Sequence, residues 1–145
     1  MILDIVKYPN KFLAKESKVI DNMGYGEKKD LKNMLDTMRA NKGIGIAAVQ
    51  VGILKQLIIV DIGKGNLIKL GNPKILIKKG EISIAECCLS VPNESVKIQR
   101  ANEVLVSGLN ENNQEEIKLF HGLEAIAVQH EIDHLNGKII IDYKV

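Results

Sequence analysis

Residues 129–137 read Gln-His-Glu-Ile-Asp-His-Leu-Asn-Gly, and no other stretch constrains the fold as tightly. Upstream of it Leu123, Ile126 and Ala127 lead by threes and fours into His130 and His134. Gly137 closes the run, so the spacing predicts a helix over 122–136. Residues four apart on a helix lie on one face, one turn above each other, and this face is otherwise apolar. Two buried imidazoles one turn apart need partners. A metal ion supplies a partner to both, and Glu131 between them can handle protons on a bound water. The chain has only three histidines, so a chance match is rare. Two core histidines satisfied by hydrogen bonds are the weaker reading. A catalytic site normally needs three protein ligands and one open position, so the fold must bring a third ligand to this helix face.

That ligand does not follow His134. One zinc-protease class continues His-x-x-Gly-x-x-His; Gly137 fits the glycine, but the last position is Ile140. Another class uses a later Glu, and none of the eleven residues after His134 is Glu. Upstream, the candidates are His121, Cys87, Cys88 and the acidic residues. His121 stands at the start of the same helix and reads as a capping or surface residue. The cysteines stand in Ala-Glu-Cys-Cys-Leu-Ser-Val-Pro, read as a loop after the strand region. A thiolate is a strong ligand for zinc or ferrous iron. Spacing alone does not choose between Cys87 and Cys88.

The rest of the chain reads as α+β: short antiparallel sheets packed around the C-terminal helix, with a second helix near the N-terminus. Leu31, Met34, Leu35 and Met38 recur at helical spacing within 28–41, and Gly43 is a fitting stop. Strands are expected at 56–62, 66–70 and 74–80, where short Ile/Leu-rich runs are separated by Gly, Asn and Pro. Runs 102–109 and 115–122 flank the turn-like Asn110 to Asn113 and form a hairpin. A last strand is expected at 138–142. With 145 residues and no linker or repeat, a single domain over 1–145 is expected.

Composition narrows the function classes. Twenty basic and 18 acidic residues leave a net charge of +2, too balanced to argue for nucleic-acid or membrane binding. The longest uncharged stretch near the middle, Gly43 to Leu54, is too short to span a bilayer. The start carries Asp4 after two apolar residues and is not a signal peptide, so a cytoplasmic location is expected. Two adjacent cysteines do not make a secreted disulfide framework. Gly43-x-Gly45-x-x-Ala48 fits a dinucleotide fingerprint loosely, but that reading needs a strand before it and a helix after. A helical pattern precedes it instead.

Three segments taken together resemble the peptide deformylase family. They are Gly-Ile-Gly-Ile-Ala-Ala-Val-Gln (43–50), Glu-Cys-Cys-Leu-Ser (86–90) and Gln-His-Glu-Ile-Asp-His (129–134). They stand in the family's order, and the likeness runs from Tyr-Pro-Asn near the start to Ile-Ile-Ile-Asp-Tyr at the end. The resemblance implies hydrolysis of the N-formyl group of formyl-methionyl peptides, with nascent chains near the ribosome exit as partners. It implies one ferrous ion per chain, replaceable by zinc or nickel. It assigns the metal to Cys88, His130 and His134, the general base to Glu131, and the oxyanion donors to the Gln50 amide and the Leu89 backbone N–H. Ile44, Gly45 and Cys87 would flank the substrate, the glycines letting a peptide backbone lie close. Glu86 is expected to hold a ligand histidine, with Arg100 steadying Glu86 or Asp133.

One residue departs from the family pattern. Cys87 stands where the family has Gly, which suggests either backbone strain or crowding of the cleft. Two other functions follow from the same residues. A zinc endopeptidase would cleave internal peptide bonds, and a non-catalytic binder would hold formylated N-termini without turnover.

Overall fold

The computed structural model describes residues 1–144. Two helices, α1 (Tyr25–Ala40) and α2 (Gly122–Leu135), accompany seven strands. The strands are β1 (Gly45–Ala47), β2 (Leu57–Val60), β3 (Ile68–Lys79), β4 (Ile82–Cys88), β5 (Val91–Arg100), β6 (Glu103–Leu109) and β7 (Glu115–His121). Five form one antiparallel sheet in the order β1-β2-β3-β6-β7, and β4 and β5 form a separate hairpin. The architecture is α+β, with a C-terminal helix against antiparallel sheet.

Strand β2 organises the packing. Leu57, Ile58, Ile59 and Val60 are all buried, and alternate side chains of a strand point to opposite faces. The strand must therefore be covered on both sides. Leu57 and Ile59 join Leu31, Met34 and Met38 of α1. Ile58 and Val60 join Val104, Val106 and Phe120 from the sheet and Ala125, Val128 and Leu135 of α2. Each such aliphatic side chain contributes roughly 1.5–3 kcal/mol on burial, so a core with almost no aromatics still has ample driving force. A third cluster joins the hairpin to the C-terminal end: Cys88, Val91, Val96 and Ile98 pack with Leu13, Ile139 and Ile140.

Several elements differ from expectation. The strands expected at 66–70 and 74–80 are one strand, β3, because Gly71-Asn72-Pro73 is a bulge and not a turn. Asn72 takes a left-handed φ of 48°, and its side-chain amide pairs with both backbone groups of Ile20 at 2.8 and 2.9 Å. The Cys87–Cys88 pair lies at the end of β4 and not in a loop. Residues 138–142 are not a strand; Ile140–Tyr143 curl into a 3-10 turn because Asp142 Oδ2 accepts from the Ile139 N–H at 2.8 Å. The left-handed residue after α1 is Lys42, at φ 57°, and not Gly43.

Gly137 ends α2 as expected, at φ 75°, and for a second reason besides its φ. A side chain there would run into the backbone of Ala14. Gly137→Ala should therefore destabilise the fold by about 2–4 kcal/mol, combining left-handed strain with a backbone clash. Urea unfolding against the wild type checks this.

Candidate metal centre

The site is assembled where α2 passes beneath the hairpin. Residues 130 and 134 share one α2 face, and both histidines are buried. On β4 the burial alternates: Glu86 and Cys88 turn inward, while Cys87 is exposed. Period-2 geometry thus carries Cys88 to the same face as Glu86. Cys88 Sγ lies 3.3 Å from His134 Nε2, and His134 Nε2 lies 3.2 Å from His130 Nε2. Among the described residues these three donors form a cluster whose atoms all lie within 4.8 Å of one another.

The hydrogen bonds around the cluster set its protonation. His130 Nδ1 lies 3.0 Å from Glu86 Oε1. A carboxylate only accepts, so Nδ1 carries a hydrogen and Nε2 is the atom that faces the cluster, where a bound cation would take the place of a proton. Burial disfavours a charged His130, yet the charge of Glu131 and the hydrogen bonds with Cys88 and Glu86 outweigh it and pull the ring well above the usual imidazole range. Burial also holds His134 well below that range, as a neutral imidazole. Two nitrogens and a sulfur crowded together in an anionic setting favour a cation between them. The donor set fits a divalent metal with mixed sulfur and nitrogen preference.

Glu131 is the other unsettled group. Its Oε1 is buried without a hydrogen-bond partner, and burial pushes its carboxyl up to about 7, against the pull of His130. The carboxylate has room only because residue 45 is glycine: a Cβ there would collide with Glu131 Oε2. Gly43 likewise makes room for Leu89, whose Cδ1 would lie 2.8 Å from a Cβ at 43. The space beside both glycines is filled by the chain's own side chains, so their smallness serves internal packing before any peptide.

Gln50 is oriented without ambiguity. Its Oε1 accepts from the Ala47 N–H at 2.9 Å, which turns Nε2 toward Ser90 Oγ at 3.0 Å and Cys88 Sγ at 3.5 Å. Gln50, Gly45, Ile44, Cys87, Leu89 and Glu131 all border one cleft of about 350 Å³. Cys87 reaches the rim without a left-handed backbone, so the strain foreseen for a residue replacing Gly is absent. His121 stays apart from the cluster, exposed at the start of α2 and making no cap with its side chain.

Glu86 is held by more than His130. Both its oxygens accept from Arg100, at 2.9 and 2.8 Å, and although burial raises its carboxyl, Arg100 and His130 bring it below the usual range. Arg100 Nη1 also donates to Asp133 at 2.6 Å. Sequence reasoning missed Tyr143, whose hydroxyl donates to Asp133 at 2.6 Å and lies 3.2 Å from Arg100 Nη1. It also missed Ser90 behind Gln50, and Gln129, whose amide clasps both backbone groups of Ala101. Alternation in Ile82-Ser-Ile-Ala-Glu-Cys-Cys, and in Val96-Lys-Ile-Gln-Arg100, was the available signal for the hairpin and for which side chains it turns inward.

Comparison with known proteins bears on this geometry. The sequence model of the polypeptide deformylase family matches residues 2–144. A peptide deformylase of Thermodesulfovibrio yellowstonii is 43% identical over 145 residues, covering 97% of this chain and 88% of the relative. The crystal structure of the Ehrlichia chaffeensis peptide deformylase in complex with actinonin superposes with a TM-score of 0.97 at 34% identity, covering 99% of this chain and 89% of that one. The Met-Ala-Ser-bound structure of the Acinetobacter baumannii enzyme, described as class I type b, gives 0.93 at 30% identity, with 98% of each chain covered.

Arg100 sits between two carboxylates and is itself buried. Removing one partner of a buried charge network strands the others. Arg100→Met should cost about 3–5 kcal/mol, and Tyr143→Phe, which leaves Asp133 paired to Arg100, about 1 kcal/mol. Denaturant unfolding of the two variants gives the ranking; equal losses would contradict this reading of the network.

Proposed function

The chain belongs to the polypeptide deformylase family, which removes N-formyl groups from nascent polypeptides, and on that premise we propose how its side chains divide the hydrolysis of the formyl amide. Cys88, His130 and His134 would hold one divalent ion per chain, ferrous iron, with zinc or nickel able to substitute. The convergence of one thiol and two imidazole nitrogens is the observation that carries this reading. When bound, such an ion supplies Lewis-acid polarisation and acidifies water.

The protein's own groups do the rest. Glu131, buried and free of hydrogen bonds at Oε1, takes the proton from the attacking water and delivers it to the leaving amine. The Gln50 amide, preset by Ala47, and the Leu89 backbone N–H donate to the oxyanion that develops on the formyl oxygen. Glu86 accepts from His130 and keeps its other nitrogen facing the ion; Arg100 and Asp133 hold Glu86 and α2 in register. Ile44, Gly45 and Cys87 line the path of the methionyl peptide. The Acinetobacter relative binds Met-Ala-Ser, a peptide of the form deformylation leaves behind, which supports a methionyl peptide as the substrate.

We place the activity in the cytoplasm, near the ribosome exit where formylated chains emerge, and assign it to one catalytic domain over 1–145. Among the described residues no helix is long and apolar enough to cross a membrane.

Protein purified without oxygen should carry close to one metal equivalent and release formate from formyl-Met-Ala-Ser while leaving casein intact. Glu131→Ala should retain metal and lose formate release by about 10²–10⁴-fold. Gln50→Ala should lose on the order of a hundredfold, and Cys88→Ser should lose the metal. Casein digestion that does not depend on a formyl group, or full activity in Cys88→Ser, would defeat the assignment.

A further inference from the structure

Strand β7 ends the sheet. Among the described residues, no further strand pairs with its outer edge. Helix α1 covers its face of the sheet at β1 and β2 and reaches only as far as Leu109 on β6. Beyond that the same face is bare. Ile117 is 62% exposed and Leu119 56%. Leu105 lies opposite Leu119 on β6, and Ile77, 50% exposed, lies opposite Leu105 on β3. An apolar stripe three strands deep thus runs up to an open edge, the arrangement that soluble proteins normally blunt or cover.

We propose that this edge pairs with the same edge of a second copy of the chain, antiparallel about a two-fold axis at Ile117. The strand is complementary to itself in that register. With Ile117 opposite Ile117, Glu116 of each copy falls opposite Lys118 of the other, twice over. Leu119 falls opposite the other copy's Glu115 and diagonally beside its Ile117, so the aliphatic contact is carried by the Ile117 pair and the two diagonals. Opposite charges and apolar pairs across strands are the contacts that stabilise a ladder. Glu116 is preset for this: Asn110 Nδ2 donates to its Oε1 at 2.6 Å, while Oε2 lies 3.2 Å from Lys118 Nζ. The two copies would close a ring of four alternating charges. Sliding by two residues in total would set Lys118 against Lys118, and a shift of one would turn the apolar stripe to the wrong face. An isologous contact of this kind closes at two copies. No residue of β7 lines the cleft, so the pairing edge and the cleft are separate surfaces.

Sedimentation velocity of the metal-loaded protein from micromolar to sub-millimolar concentration tests the pairing. The wild type should pass from monomer to dimer with concentration. Ile117→Lys and Lys118→Glu should each weaken dimerisation at least tenfold, and Glu116→Lys combined with Lys118→Glu should restore it, because the swapped charges again oppose each other. Formate release per chain should be unchanged in all of these, which also certifies that they are folded. A wild type that stays monomeric, a dimer indifferent to Ile117→Lys, a double variant that fails to recover, or growth beyond two copies would each overturn the proposal.

Discussion

A single buried carboxylate decides whether this site exists. Glu86 accepts from His130 on one side and from Arg100 on the other. Glu86 and Arg100 belong to the hairpin and His130 to α2, so the interaction locks together two elements that share no sheet. It also fixes the orientation of His130, which aims Nε2 at His134 and Cys88. Without it the imidazole could turn, and the thiol on the same strand would lose its fixed distance from the helix. The buried ion pair itself gives little net stability, since desolvation offsets its attraction. Its value is positional.

The same logic explains why the site tolerates groups that a core would ordinarily reject. Glu131 Oε1 and His134 Nδ1 are buried with no partner. Unsatisfied buried polar atoms cost about 1–3 kcal/mol each, and such debts gather where chemistry is done. Here they are carried by the helix that also packs Ala125, Val128 and Leu135 into the largest apolar cluster. One face of α2 is bound by aliphatic burial strongly enough for another face to hold groups poised for a proton and a cation.

How much of this was legible in the sequence depended on the range of the signal. The helix with His130 and His134 showed itself through local periodicity, as did α1 and the β6–β7 hairpin with its asparagine turn. The bulge at Gly71-Asn72-Pro73 did not, because its composition is that of a turn and only the distant Ile20 backbone explains why the strand continues. Strands β4 and β5 were missed because their inward positions mix Ile and Val with Glu, Cys and Arg, which hides a period of two from a hydrophobic reading. The choice of Cys88 over Cys87 was likewise invisible to spacing and came from family resemblance; in the structure it follows from strand alternation. Tyr143 was unreadable, since its role depends on the chain curling back after α2.

That curl folds the segment after α2 back onto the hairpin. Ile139 and Ile140 pack against the hairpin in the cluster that contains Cys88, and Tyr143 reaches Asp133 and Arg100. Gly137, fitted against Ala14, lets the chain reverse tightly enough for both. Among the described residues no strand of the main sheet pairs with the hairpin, so its position against α2 rests on these side-chain contacts, the Glu86 lock and the bonds that Tyr8 and Gln50 make to Ser90. Residues 139–143 therefore act as a clasp: they hold the strand carrying the thiol at the distance from the helix that the two imidazoles require.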